Sequence, residues 1–479
     1  MEALPPTPEV IDALAPEIAA FIRWLVDENT RVRAENQGLQ SEVSALQAEV
    51  VDLRARLNQN SSNSSKPPSS DPPSKKPAPK KGSSGKKPGG QPGHPRHARP
   101  PRQATHTVDV KPTACDGCGA MLLGHDPDPL VKQVVELPVI QPNVTDYLIH
   151  QLTCLVCGAT TRAATPSEVH QEYGVRLQAA LAMFSGSYRM SKRMSEALCE
   201  DLLGIQISTG QICDLERQTS EMLQPVVEQA QDYVQQRPAN VDETSWKQGK
   251  KKAWLWVAAT KWVAVFAIYL SRSRRSFHEL MGVNPCHVTS DRYSVYSHLL
   301  AELRQLCWAH LRRDFQAMID RCNAGQAIGE DLLRLADQML GQWKRVRDGT
   351  LSREEFRNQI LPSLRTEVEA TLERGSTCGC AKTVGVCMEL LRWKVSLWTF
   401  ANHDEVEPTN NAAERAVRHA VCWRKTSYGT ASETGSRFVE RILTVVASCK
   451  LQGRKTLDFL TQCIQAARSA LTLPTLLPA

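Results

Sequence analysis

The chain is 479 residues long, 41% hydrophobic and 23% charged, with a formal net charge of +7. That length allows several folded units and at least one sizeable core, and the composition is that of an ordinary soluble protein, not of a low-complexity or membrane-dominated chain. The charge is unevenly spread: Asn60 to Arg102 holds ten Lys/Arg against the single Asp71, which leaves the remainder slightly acidic. A basic tether of this kind is suited to a polyanion. Met1 to Pro16 carries acidic residues and four prolines, with neither a basic n-region nor an apolar h-region, so no export signal is expected. The fifteen cysteines are then expected to be reduced and available for metal ligation or burial.

The first element is a coiled coil over 18–58. Ile22, Asn29, Asn36, Val43, Val50 and Leu57 fall at a, and Leu25, Val32, Leu39, Leu46 and Leu53 at d. β-branched residues at a with Leu at d favour a parallel dimer, and Asn at a fixes register, so self-association is expected over a lone amphipathic helix lying on the body. Residues 59–104 are Ser/Asn-rich, then Lys/Pro/Gly-rich, and predict a flexible linker. Its Lys75, Lys76, Lys80 and Lys81 either track phosphates or simply solvate a spacer.

A zinc-binding domain is expected over 105–168, where Cys115-x-x-Cys118 and Cys154-x-x-Cys157 each precede a glycine. Four thiolates match a tetrahedral structural zinc site, with redox pairs or buried cysteines as the alternatives. Val131 to Pro138 and Val144 to Leu152 read as strands of a zinc ribbon. The 169–237 region is helical. Ser191 to Leu203, Gly204, then Ser208 to Arg217 form either a DNA-reading helix-turn-helix or an ordinary helical pair, with Ser208 as N-cap.

After Pro238 the periodicity changes. Asn240 to Trp246 reads as a short strand ending in Asp242 and Glu243, followed by a basic turn, Lys247 to Lys252. Ala253 to Leu270 divides at Thr260-Lys261 into two strands, a buried hairpin in preference to a membrane span. A helix near Arg275 to Met281 precedes a strand, His287 to Ser290, that ends in Asp291, and Arg304 to Ala309 reads as a fifth strand. Three antiparallel strands, then α/β alternation with Asp after the first and fourth, is the order of an RNase H-like core, begun over 238–317. Such carboxylates on rigid elements suit two-metal phosphodiester chemistry with Mg²⁺ or Mn²⁺. A helical insertion is expected over 318–400, core helices over 401–465 and a tail over 466–479. The fold class is therefore multidomain α+β.

The third carboxylate is Glu414, in Pro408-Thr-Asn-Asn411-Ala-Ala-Glu414-Arg415. With Asn411 as N-cap, Glu414 sits at N3, which equally describes a capping box. Arg415, Arg418, Arg424 and Lys425 continue the helix as a basic face for DNA. Glu243 is the rival to Asp242, expected on the opposite side of its strand. His310 either approaches the scissile phosphate or is a buried, hydrogen-bonded histidine. With Cys307, Cys378, Cys380 and Cys387 it could also form a second metal site.

These motifs together resemble the IS66 family of insertion-sequence transposases over essentially the whole chain. The resemblance rests on the zipper, the Asn-Ser-Ser-x-Ser-Ser-Lys-Pro-Pro-Ser linker, the Gly89 to His94 element and the four cysteines. It extends through Val241-Asp242-Glu243-Thr244, Ser290-Asp291-Arg-Tyr293, Cys307-Trp-Ala-His310-Leu-Arg-Arg313 and Asn410-Asn411-x-x-Glu414-Arg415. It implies a DDE transposase with a catalytic, metal-binding triad of Asp242, Asp291 and Glu414, acting on element ends and target DNA. It also implies divalent-metal dependence and small accessory proteins of the same element. A cytoplasmic, DNA-associated protein is the matching location. The alternatives are a catalytically inactive, dimeric, zinc-containing regulator and a nuclease without strand transfer.

Overall fold

The computed structural model describes residues 7–57, 59–60, 63–64, 100–166, 169 and 172–478, and the chain is mixed α/β. Residues 148–195 and 208–479 fall in one unit with the N-terminal helices, and 100–147 with 196–207 in another. Helices α1 (Pro8–Asp12) and α2 (Pro16–Leu57) come first, α2 running unbroken for 42 residues. The expected a and d residues Leu25, Val32, Leu39, Val43, Leu46, Val50 and Leu53 are exposed along it. Lys75, Lys76, Lys80, Lys81 and the Gly89 to His94 element lie outside the described residues.

The two cysteine pairs share one backbone form. In the first, Gly119 N–H donates to the Cys115 carbonyl at 2.9 Å and Cys115 N–H to the Ala120 carbonyl at 2.9 Å. In the second, Gly158 donates to Cys154 at 2.9 Å and Cys154 to Ala159 at 2.8 Å, between strands β1 (Gln151–Thr153) and β2 (Thr160–Arg162). Both glycines have φ of 74°, a left-handed conformation that suits glycine. The strand expected over Val131 to Pro138 is absent, and that over Val144 to Leu152 is reduced to its last two residues within β1. Pro138 and Pro142 remove ladder donors there, and Val134, Val139 and Val144 are exposed with no partner strand among the described residues.

Helices α3 (Val175–Gly186), α4 (Lys192–Leu203) and α5 (Thr209–Gln235) follow. Ser208 caps α5 as expected, in a reciprocal capping box with Gln211. The helix does not stop near Arg217, however. It continues because Leu223, Val226, Ala230 and Val234 extend an apolar stripe into the main core. Glu216, buried on α5, is held by Lys192 and by the Ser185 hydroxyl at 2.6 Å.

The central sheet contains β3 (Ala239–Gln248), β4 (Lys251–Ala259) and β5 (Ala264–Tyr269), then α6 (Arg274–Met281), β6 (Val288–Ser290) and β7 (Arg304–Leu306). Strand order is β5-β4-β3-β6-β7, the first three antiparallel and β6 and β7 parallel to β3. The apolar Ala253 to Leu270 stretch is thus a buried hairpin, and no helix of the described residues is long and apolar enough to cross a membrane. β3 is longer than expected. It runs through its acidic residues to a two-residue turn at Gly249-Lys250, where Gly249 has φ of 57°, as a type II′ hairpin needs at its first central position. β7 stops at Leu306, so Trp308 and Ala309 open a helix instead of extending the strand.

The insertion comprises α7 (Trp308–Ile319), α8 (Gln326–Arg347), α9 (Arg353–Glu355), α10 (Leu361–Gly375), α11 (Ala381–Arg392) and α12 (Thr399–Asn402). It has its own core around Trp308, Phe315, Trp343, Phe356 and Phe400. Helices α13 (Asn411–Ser427), α14 (Glu433–Leu451) and α15 (Thr456–Arg468) return to the sheet core.

α14 solves the edge-strand problem of β5. Its Ser448 and Thr444 hydroxyls accept the N–H groups of Ala264 and Phe266 at 3.1 and 3.0 Å, and the Glu440 carboxylate accepts that of Ile268. Four helical residues rise about 6 Å and two strand residues about 6.6 Å, so the two rows stay matched over the three contacts. Burial raises the Glu440 carboxyl to about 7 from an ordinary 4.5, with Arg437 opposing. A raised acid stabilises the fold fully below its unfolded value and loses that contribution as pH climbs through the folded value, here by about 3 kcal/mol. Urea denaturation should therefore show stability falling between pH 5 and pH 8, with a much smaller fall in Glu440→Gln. An equal fall in the variant would contradict this account.

Candidate active site

Register brings the two aspartates together. Ala239 pairs with Val288 and Asn240 with Thr289 in the parallel β3–β6 ladder. The ladder ends two residues before Asp242 and Asp291, and the two carboxylates are close enough that Asp291 raises the Asp242 carboxyl. Each commits one oxygen to the backbone: Asp242 Oδ1 accepts the Glu243 N–H at 2.9 Å, and Asp291 Oδ1 the Tyr293 N–H at 2.9 Å. Buried Arg304 donates to the Asp291 carbonyl at 2.9 Å and fixes that strand end from behind.

Glu414 arrives from the far side of the insertion. Its helix is capped by Asn410, not Asn411, so Glu414 lies one residue beyond N3, and the Asn410 side chain makes no cap bond. The capping-box alternative is thereby removed. The Asn410 amide instead donates to the Val241 carbonyl at 2.9 Å, adjoining Asp242, while its backbone N–H donates to the Cys307 sulfur at 3.1 Å. Trp308 N–H donates to the Pro408 carbonyl at 2.9 Å. The Pro408 to Asn410 segment is thus stitched to the ends of β3 and β7, and it sets where α13 begins.

The electrostatics are those of crowded carboxylates. Burial, then Glu243 and Asp291, raise the Asp242 carboxyl to about 8, with His310 opposing. Glu243 is raised by burial and Asp291, but its carboxylate is already bound by Arg272 at 2.8 Å and by the Tyr296 hydroxyl. Both Glu243 carboxylate oxygens are therefore engaged by side chains. Burial disfavours the His310 imidazolium, yet Cys307, Asp291 and Glu414 outweigh it and carry the ring up to about 9. His310 thus feels all three carboxylates.

His310 is not a satisfied core histidine. Its Nδ1 is buried without a hydrogen-bond partner, and Nε2 lies 3.5 Å from Glu414 Oε1. Glu414 Oε1, for all its ion-pair distance to His310, and Asn410 Oδ1 are also buried without a hydrogen-bond partner, and Arg313 stands 3.9 Å from Glu414 Oε2. Three of the buried polar atoms that lack a hydrogen-bond partner among the described residues thus belong to this one cluster. Cys307, His310 and Glu414 present ligand atoms within 4.8 Å of one another, the one such group among the described residues. Cys378, Cys380 and Cys387 do not join it.

On α13, Arg415 and Arg418 are exposed. Arg424 is committed to β3, donating to the Ser245 carbonyl at 2.7 Å, while Lys425 is exposed. Cys118, Cys154 and Cys157 are exposed, and hydrogen bonds from their own turns hold the Cys115 and Cys154 thiols below the ordinary value. Sequence reasoning missed Asn410 as a tether, although it lies in the quoted Asn-Asn doublet, and missed the link from His310 to every carboxylate.

Residues 5–100 match a family of unknown function. An uncharacterized protein, y4qI, of Sinorhizobium fredii is 31% identical over 189 residues, covering 36% of this chain and 34% of that protein. The chain thus spans about a third of the length of this curated relative. The profile of the transposase IS66 family matches residues 173–437, more than half of the chain, from α3 through Glu414 and into α14. The chain belongs to the IS66 transposase family.

Proposed function

We propose that this protein is a DDE transposase: Asp242, Asp291 and Glu414 form an RNase H-like catalytic centre that cleaves DNA at element ends and joins those ends to target DNA. The observation that carries this reading is convergence. The parallel β3–β6 ladder, which ends two residues before Asp242 and Asp291, supports their being neighbours, and Asn410 bonds the start of the Glu414 helix to the residue before Asp242. The strand order, with Asp242 within the first strand and Asp291 just after the fourth, supports an RNase H-like core.

The donor set fits hard divalent cations. Carboxylate oxygens suit Mg²⁺ or Mn²⁺, and a cation would relieve both the raised Asp242 and the unpartnered Glu414 oxygen. When bound, a pair of such ions activates the attacking hydroxyl or water and stabilises the leaving oxygen. Arg313 and the protonated His310 balance the carboxylate charge and orient Glu414, while Arg415 and Arg418 offer phosphate contacts from the same helix. A softer metal on Cys307, His310 and Glu414 is the second reading, but the Cys307 sulfur already accepts the Asn410 N–H. Three intact carboxylates oppose the inactive-regulator alternative. Asp242→Asn, Asp291→Asn and Glu414→Gln should each abolish Mg²⁺-dependent cleavage of labelled element ends while end binding persists. Wild-type cleavage by any one of them would remove that residue from the triad.

The two knuckles support a structural Zn²⁺ on Cys115, Cys118, Cys154 and Cys157, since lowered thiols and paired turn N–H groups favour thiolate ligands. The exposed apolar seam of α2 supports dimerisation, and accessory proteins of the element and a cytoplasmic location complete the reading. Metal analysis of purified protein should find about one zinc per chain, lost in Cys154→Ser and retained in the triad variants. Full zinc content in Cys154→Ser would exclude the four-cysteine site.

A further inference from the structure

The tip of the β3–β4 hairpin carries a cluster that the catalytic reading does not use. Lys247, Lys250, Lys251 and Lys252 are all exposed. The register sets Lys247 directly opposite Lys252, and like charges in that position destabilise a ladder. Among the described residues none of the four makes an ion pair; Lys252 lies 5.1 Å from the centre of the Trp254 ring. Solvated lysines on a mobile turn would be the bland explanation, but this turn is held rigidly.

Two hydrogen bonds lock it to the α13–α14 connection. Gly249 N–H donates to the Thr430 carbonyl at 2.7 Å, and Thr430 N–H to the Lys247 carbonyl at 2.9 Å. Buried Trp246 donates to the Thr430 hydroxyl at 3.3 Å from below. The approach is so close that a Cβ on Gly429 would lie 2.3 Å from the Lys247 carbonyl oxygen. Tyr428, next in line, adopts φ of 60° and is 76% exposed. That left-handed conformation ends α13, with the Tyr428 N–H donating to the Arg424 carbonyl, and it leaves an exposed aromatic ring in the segment that is bonded to the tip. Lysines with an exposed tyrosine are the contact set for a phosphate backbone.

We propose that this tip is a DNA-holding surface that grips the same duplex whose scissile phosphate enters the carboxylate site. Six residues separate Asp242 from Gln248 along β3, about 20 Å at strand rise. For a duplex lying along β3, at about 3.4 Å per base pair, the grip falls about six base pairs from the scissile phosphate. This inference rests on the DNA-cleaving reading above and adds where the duplex is held.

The test uses full-length protein carrying Lys250→Glu and Lys251→Glu, both at the exposed turn. Binding to element-end duplex is followed by fluorescence anisotropy against salt, and cleavage is followed with Mg²⁺. With about fifteen base pairs on each side of the scissile phosphate, affinity should fall at least tenfold, and the log–log salt slope should shrink by about 2. Trimming one side to about three base pairs should abolish the difference between variant and wild type. Unchanged affinity and slope on the long duplex would overturn the proposal. So would a defect confined to joining pre-cut ends into target plasmid, which would assign the tip to a second duplex. If wild type binds with the expected slope difference but cleaves nothing, the enzymatic reading fails and the holding surface stands.

Discussion

The amide of Asn410 holds the site together. Fully buried, it ties the carbonyl of Val241 on β3 to the first turn of α13, while its own N–H is held by Cys307 at the end of β7. Those two bonds join three segments that are distant in the chain: residue 241, residue 307 and residue 410. A buried side-chain bond of this kind is worth about 1 kcal/mol net, and losing it leaves a buried carbonyl unpaired at a cost of about 1–3 kcal/mol. Its larger effect is positional. The insertion between Asp291 and Glu414 folds around its own aromatic core, whose Trp308 and Trp343 bond Pro408 and Glu407, and Asn410 carries that anchorage on to β3.

Around this tether the protein accumulates electrostatic penalty in one place. Asp242 is raised by burial and by two neighbouring carboxylates, and unpartnered oxygens of Glu414 and Asn410 lie in the same cluster as an unpartnered His310 nitrogen. By contrast, buried Glu243 is answered by Arg272 and Tyr296, and buried Glu216 by Lys192 and Ser185. Such concentrated perturbation is characteristic of functional centres.

Much of this was legible in the sequence, for identifiable reasons. Asp291 follows a short β-branched run, so its place at a strand end could be read from composition, and the hairpin from two apolar runs split at Thr260-Lys261. Asp242 falls on a strand as expected, but that strand runs on to Gln248. Glu414 could be assigned to a helix, but a capping box and a catalytic carboxylate share a spacing. Only the withdrawal of Asn410 into the sheet, which moves the cap back by one residue, separates them. Tertiary choices of that kind leave no local trace. The role of His310 was hidden in the same way, because its three carboxylate neighbours come from β3, β6 and α13. The expected strands between the cysteine pairs failed for the opposite reason: their apolar alternation is real, but prolines and the lack of a partner leave it unpaired.

The central claim is that three carboxylates from separate elements form one divalent-cation site. Fe²⁺-directed hydroxyl-radical cleavage of the polypeptide tests it most directly, because radicals generated at a bound ion cut only nearby backbone. Loading the full-length protein with Fe²⁺ and mapping the fragments should reveal cuts next to residues 242, 291 and 414 together, suppressed by excess Mg²⁺. Cuts at one or two of these positions alone, or a pattern that Mg²⁺ leaves unchanged, would contradict the shared site.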